Sequence, residues 1–187
     1  SGCGESDEDS ITVEKEVEDI KSAIEFIRSK GVTRIGLLGL SQGGLISLKV
    51  SDPEVNSIFL MAPVTDSLPD YRSKLSEWQR QELEDYGVTR KYKPEQSRSQ
   101  IIFSGEVIKH KENLDQDKLL EDVDVPVKIV HGTEDTSVPI EQSRKAVRKL
   151  KEAELIEIED DHYFEHSVEE VTGMAAKFFL DNLSIKN

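Results

Sequence analysis

One pentapeptide constrains this chain more than any other stretch. Gly39-Leu40-Ser41-Gln42-Gly43 lies between an apolar run, Arg34 to Leu38, that reads as a short buried strand, and a segment to about Val50 that reads as a helix. A serine on such a strand-to-helix turn is held in a strained backbone with its hydroxyl projected above the sheet. Side chains at the flanking positions would collide with the adjoining strand and helix, so glycine is expected there, and Gly44 adds a further close approach. The helix that follows directs its first N–H groups and its dipole toward the serine. With glycine at about 7% of residues, a G-x-S-x-G match arises by chance in roughly one chain in twenty of this size. Requiring a strand before it and a helix after it removes most of those.

The rest of the chain supports such a turn. Val13, Val17, Ile20, Ile24 and Ile27 form the stripe of an amphipathic helix within Thr12 to Lys30, stopped by Gly31. Asp52-Pro53 closes the helix after Ser41, and Asn56 to Met61 is a second apolar strand. Val125 to His131 and Glu154 to Glu159 read as strands, Glu141 to Leu150 and His166 to Leu183 as helices. Strands alternating with helices predict an α/β fold, a mostly parallel sheet with helices on both faces. After Pro63 the pattern changes. Tyr71, Leu75, Trp78, Leu83 and Tyr86 suggest a helix in a charged insertion of about 65–112, with a short strand at Ile101 to Phe103 and a short helix at Asp115 to Leu120. One domain, 1–187, with this insertion as a cap is the expected organisation, and Ser1 to Ser10 is expected to be a loop.

Composition narrows the partners. Of 187 residues, 38 are acidic and 24 are Lys or Arg, a formal net charge of −14 that argues against nucleic acid and anionic membranes. The single cysteine, Cys3, excludes an intramolecular disulfide and a cysteine zinc site. No apolar run approaches the roughly 20 residues that span a bilayer. A cytoplasmic location is the expectation.

Two further segments carry chemistry. His131-Gly132-Thr133-Glu134-Asp135-Thr136-Ser137-Val138-Pro139 follows a buried strand, so its carboxylates fall at the C-terminal end of a parallel sheet, where such folds place their sites. Asp135 is the candidate acid, with Glu134 its competitor. Asp160-Asp161-His162 follows the last strand, and His162 is the candidate general base. The adjacent acids would raise its basicity if they pointed at the ring. His166 ranks below it at the start of the last helix, His110 is expected to be exposed, and His131 is expected to end its strand as a structural residue. Serine, then acid, then histidine is a chain order that permits a catalytic triad.

At these residues the sequence resembles the α/β-hydrolase superfamily. It looks especially like bacterial esterases related to feruloyl esterases, with acylaminoacyl-peptidase-like serine peptidases close behind. Gly39 to Gly44, His131 to Pro139, Met61-Ala62-Pro63, Asp161-His162 and a G-x-G-x-S-like loop, Gly2 to Ser6, are the matching landmarks. The resemblance implies triad roles for Ser41, Asp135 and His162, and an oxyanion-hole role for the backbone N–H of Gln42. It also implies three or four strands ahead of Gly2, and with them a second oxyanion donor, that this chain does not contain. The strand at Arg34 to Leu38 would then be a sheet edge, with the missing strands absent, cleaved, or supplied by another chain or a second copy. Tyr71, Leu75, Trp78 and Tyr86 are expected either to line a substrate pocket or simply to pack the insertion onto the body. The expected activity is hydrolysis of a small-molecule carboxylic ester through an acyl-enzyme on Ser41. A peptidase or thioesterase with the same triad, or a catalytically incomplete fragment that only binds, are the alternatives.

Overall fold

The computed structural model describes residues 2–50, 53, 55–92 and 99–184. The chain begins with β1 (Ser10–Ile11), α1 (Val13–Ser29), β2 (Ile35–Leu40), α2 (Gln42–Lys49) and β3 (Val55–Met61). A 3₁₀ turn (Tyr71–Lys74), α3 (Glu77–Tyr86), β4 (Val88–Tyr92), β5 (Gln100–Ser104) and α4 (Gly105–Glu112) follow. The chain continues with α5 (Gln116–Leu120), β6 (Val127–Gly132), α6 (Glu141–Lys149), β7 (Ala153–Ile158) and α7 (Val168–Leu183). These elements divide into two compact units, Ser1–Ile20 with Ser67–Leu114, and Lys21–Asp66 with Asp115–Asn187.

The larger unit is built on a wholly parallel sheet in the order β2-β3-β6-β7. Ile58 and Phe59 show how its faces divide, because successive strand residues point to opposite sides. Phe59 packs with Ala62, Val130 and Phe164 against Val171, Ala175 and Phe178 of α7. Ile58 turns the other way, toward Ser47 and Leu48 of α2. On β6, Val130 joins the α7 cluster while the next residue, His131, reaches Ser143 of α6. Helices therefore cover both faces, as parallel sheets require. Gly36 lets α7 lie close, since a Cβ there would stand 2.5 Å from the Phe179 ring. β2 is the sheet edge expected from the sequence, and Leu38 on it is exposed. The stop expected at Asp52 lies outside the described residues.

The smaller unit departs further from expectation. Its sheet has the order β1-β5-β4, with β1 parallel and β4 antiparallel to β5. The expected helix from Tyr71 to Tyr86 is broken, because Leu75 is extended and Ser76 starts α3 afresh with a capping box to Gln79. Gly87, at φ 70, ends α3 and leads directly into β4, a strand absent from the sequence reading. α4 is likewise unanticipated, and His110 on it is half-buried rather than exposed.

Lys111, also on α4, is buried with its ammonium 4.8 Å from the centroid of the Tyr71 ring. Burial pushes it down to about 8, opposed by Glu16 and aided by Lys91. Because the folded state binds this proton less tightly than the unfolded chain, stability should rise with pH from about 8 until the unfolded lysine also titrates. The charge penalty is full below that window. Lys111→Met is therefore expected to stabilise the protein by on the order of 2–3 kcal/mol at neutral pH, with the gain shrinking toward pH ~10. Urea unfolding across this range measures it, and a variant no more stable at neutral pH would refute the penalty.

Candidate active site

Ser41 sits between the last residue of β2 and the first of α2 at φ 55 and ψ −116. A non-glycine residue held there costs on the order of 1–3 kcal/mol, so its surroundings must enforce it. They do so from two sides. The Ser41 amide donates to Met61 O at 2.9 Å, and the Ser41 carbonyl accepts from Gly44 and Val64 at 3.1 Å each. The segment after β3 that supplies Val64 is itself clamped. Gln142 Oε1 accepts from the amides of Thr65 and Asp66 at 3.0 and 3.1 Å, and Gln116 donates to Thr65 Oγ1 at 3.0 Å.

The glycines divide the labour differently from expectation. A Cβ at Gly39 would stand 2.4 Å from Gly43 O, and one at Gly44 2.6 Å from Pro63 Cβ. At Gly43 nothing lies within 4 Å, so the helix-side requirement falls on Gly44 instead. Gln42, whose N–H was assigned to the oxyanion hole, heads α2 immediately after Ser41.

The loops after β6 and β7 bring the acid and the base together. Asp135 Oδ2 lies 2.6 Å from His162 Nδ1, with the acid's side chain fully buried and the histidine's nearly so. Oδ1 of the same carboxylate accepts from the amides of Ser137 and Val138 at 2.7 and 2.9 Å. Burial alone would raise this carboxyl. The hydrogen bonds from His131, His162, Val138 and Ser137 outweigh it and hold Asp135 well below the usual carboxylate range. An ionised carboxylate only accepts, so His162 Nδ1 donates to it, which leaves Nε2 as the nitrogen at which this ring could take a proton. Glu134 is exposed and uses its amide to bond Asp160 O. No hydrogen bond joins Ser41 Oγ to His162 Nε2 among the described residues, and in unliganded sites that bond is often long.

The sequence profile of the prolyl oligopeptidase family matches residues 11–181, nearly the whole chain. The protein belongs to the prolyl oligopeptidase family. No curated protein matches it. Among solved structures it resembles the monoacylglycerol lipase of Paleococcus ferrophilus at 19% identity and a TM-score of 0.74, covering 97% of this chain and 80% of that one. It also resembles Est1E of Butyrivibrio proteoclasticus with ferulic acid bound, at 23% identity and TM-score 0.74, covering 97% of this chain and 74% of that one. A third is the α/β hydrolase GrgF from Penicillium, at 16% identity and TM-score 0.73, covering 98% and 78%. At these identities the likenesses establish the fold, which is that of the α/β-hydrolases. Membership of the family places the chain among hydrolases of this class.

In this prolyl oligopeptidase family member the loop carrying His162 has its own scaffold. Asp160 and Asp161 do not point at the ring, as one expectation allowed, but satisfy backbone. Asp160 accepts from the amides of Asp161 and His166 at 2.8 and 3.1 Å, and Asp161 from the amide of Tyr163 at 2.8 Å. Phe164, at φ 57 and fully buried, pins the loop into the α7 cluster. His166 is exposed and ends up outside the pairing. The Tyr163 ring stands edge-on to His162 at 5.0 Å. Phe164 was not singled out from sequence, nor was the backbone-holding role of Asp160. The apolar residue two places after the histidine was the available signal. Tyr71, Leu75, Trp78 and Tyr86 all lie in the smaller unit, with Tyr71 at Lys111 and Trp78 6.0 Å from Tyr92.

Gly132 allows this loop to reach Asp135. A Cβ there would lie 2.3 Å from Asp160 O and 2.4 Å from Asp161 O, both backbone atoms that cannot swing aside. Gly132→Ala is expected to cost about 2–3 kcal/mol in thermal unfolding. Gly43→Ala, in open space on a helix, should instead stabilise by about 0.5–1 kcal/mol. Equal effects of the two would contradict this division.

Proposed function

We propose that the protein hydrolyses carboxylic esters by acyl transfer to Ser41. The observation that carries this reading is the 2.6 Å pairing of His162 Nδ1 with a buried, ionised Asp135, on the same sheet whose edge strand presents Ser41 on a strained turn. In the reaction, Ser41 Oγ attacks the ester carbonyl while His162 Nε2 takes its proton. Asp135 fixes the tautomer and stabilises the imidazolium that forms. The Gln42 N–H would donate to the tetrahedral oxyanion, and the loss of such a donor typically costs on the order of a hundred- to thousandfold in rate. His162 then returns the proton to the departing alcohol, and water, activated by the same imidazole, releases the acid. The chemistry asks for no cofactor. Tyr71, Leu75, Trp78 and Tyr86 are the proposed source of substrate selectivity.

A second reading, hydrolysis of peptide bonds, is favoured by the family to which the chain belongs. The triad does not separate the two, since it acts on the carbonyl and not on the leaving group. The lipase and the ferulic acid-bound Est1E among its structural likenesses favour the ester.

Fluorophosphonate labelling followed by intact mass tests the shared chemistry. One adduct is expected on the wild type and none on Ser41→Ala or His162→Ala, whereas labelling of folded Ser41→Ala would assign the reactive group elsewhere. Asp135→Asn should lower kcat on the order of 10⁴-fold by supplying the wrong tautomer. A parallel panel of p-nitrophenyl esters and aminoacyl p-nitroanilides decides between the two readings. Turnover of the esters alone supports the first.

The pH profile has a sign. Asp135 is held ionised far below the range in which an imidazole titrates, so kcat/KM should fall toward low pH through the loss of one base, with unit slope. A slope of two on the acid side would mean that Asp135 titrates with His162.

A further inference from the structure

His131 is fully buried, and both nitrogens of its ring are engaged. Nε2 lies 3.1 Å from Asp135 Oδ2 and 3.1 Å from Val138 O, while Nδ1 lies 2.7 Å from the hydroxyl of Ser143, itself fully buried on α6. Two acceptors converge on Nε2, so the proton belongs there, and Nδ1 accepts from the Ser143 hydroxyl. The oxygen that His131 meets is the one that His162 meets, at 2.6 Å. Oδ1 is already occupied by two amides. Every acceptor direction of the acid is thus committed, and its Oδ2 is shared between two imidazoles.

We propose that His131, held by Ser143, is a positioning residue of the site: its Nε2–H pins Asp135 Oδ2, fixes the plane of the carboxylate, and sets how much of the acid's charge reaches His162. This inference rests on the functional reading above for its consequence in catalysis, but not for its geometry. A further charged group beside the ring is Glu157, its register partner on β7, which is tied to Arg144 at 2.8 and 2.6 Å. With Glu157 neutralised by that bidentate pair, Asp135 is the anion on which the His131 proton acts. Removing the His131 donor leaves Oδ2 with a single partner. The carboxylate is then free to turn about its Oδ1 anchor, and the Nδ1–H···Oδ2 bond of His162 changes in length and strength.

Three full-length proteins test this: wild type, His131→Leu, which removes both ring nitrogens, and His131→Gln, whose side-chain amide can donate toward Oδ2. Two readouts are taken. One is the far-downfield proton resonance of the His162 Nδ1–H, which needs no activity. The other is the rate of fluorophosphonate labelling of Ser41. His131→Leu is expected to shift the resonance and slow labelling at least tenfold, and His131→Gln to return the resonance toward its wild-type position with labelling within about threefold. An unchanged resonance in folded His131→Leu, or a labelling defect equal in Leu and Gln, would overturn the proposal. Should His131→Leu fail to fold, the nitrogen spectrum of the wild type still decides, because a proton on Nδ1 of His131 rather than Nε2 overturns it as well. If Ser41 of the wild type does not label while the resonance moves as expected, the hydrolase reading fails and the positioning role stands.

Discussion

A buried carboxylate in a protein interior must be compensated at both oxygens, and Asp135 is compensated by groups from three separate parts of the chain. Its own loop supplies the amides of Ser137 and Val138, the end of β6 supplies His131, and the loop after β7 supplies His162. Burial penalises its charge, and those four hydrogen bonds reverse the balance. Removing one partner would leave an ion without full compensation, which is far more costly than losing a neutral hydrogen bond. The loop carrying His162 is therefore held to the sheet by Asp135 as well as by Phe164. Gly132, between them, lets the two backbones come close enough for this to happen.

The serine is positioned by a different economy of contacts. Among the described residues, no side chain bonds the Ser41 hydroxyl into place. Instead the backbone is forced into an unfavourable region and locked there by Met61 O and by Val64, whose segment is clamped from α6 by Gln142. Strain at Ser41, Ala62 and Phe164, all at positive φ and all at C-terminal ends of parallel strands or the loops after them, follows the usual placement of sites in α/β sheets.

Much of the larger unit was legible in the sequence because its central strands are dominated by apolar residues. Asn56 to Met61 and Val125 to His131 read as buried runs and are β3 and β6 to within two residues. The smaller unit was not. β1 has two residues, and β4 (Val88–Tyr92) carries three polar side chains in five. α4 offers only Val107 and Ile108 as an apolar signal. Segments so short hold less than one readable period. At the site, the pairing of Asp135 with His162 follows from chain order and loop position, as the resemblance implied. The role of His131 does not, because its partners lie 4, 12 and 7 residues away along the chain on a loop and a helix whose approach only the fold decides. The close approaches read at Gly39 and Gly44 are present, while the one expected at Gly43 is not, since a motif does not say which of its members meets a neighbour.

The fold and the proposed triad leave the leaving group open, since one fold hosts many chemistries. The proposed mechanism requires a geometry: Ser41, the Gln42 N–H and His162 Nε2 converging on one reacting carbon. A crystal structure of the protein after reaction with a fluorophosphonate tests that convergence directly. The account predicts phosphorus bonded to Ser41 Oγ, a phosphoryl oxygen about 2.7–3.1 Å from the Gln42 N–H, and His162 Nε2 about 2.6–3.2 Å from Ser41 Oγ or the departing group, with Nδ1 still on Asp135. A modified Ser41 whose His162 has turned away from it, or phosphorus on another residue, would contradict it.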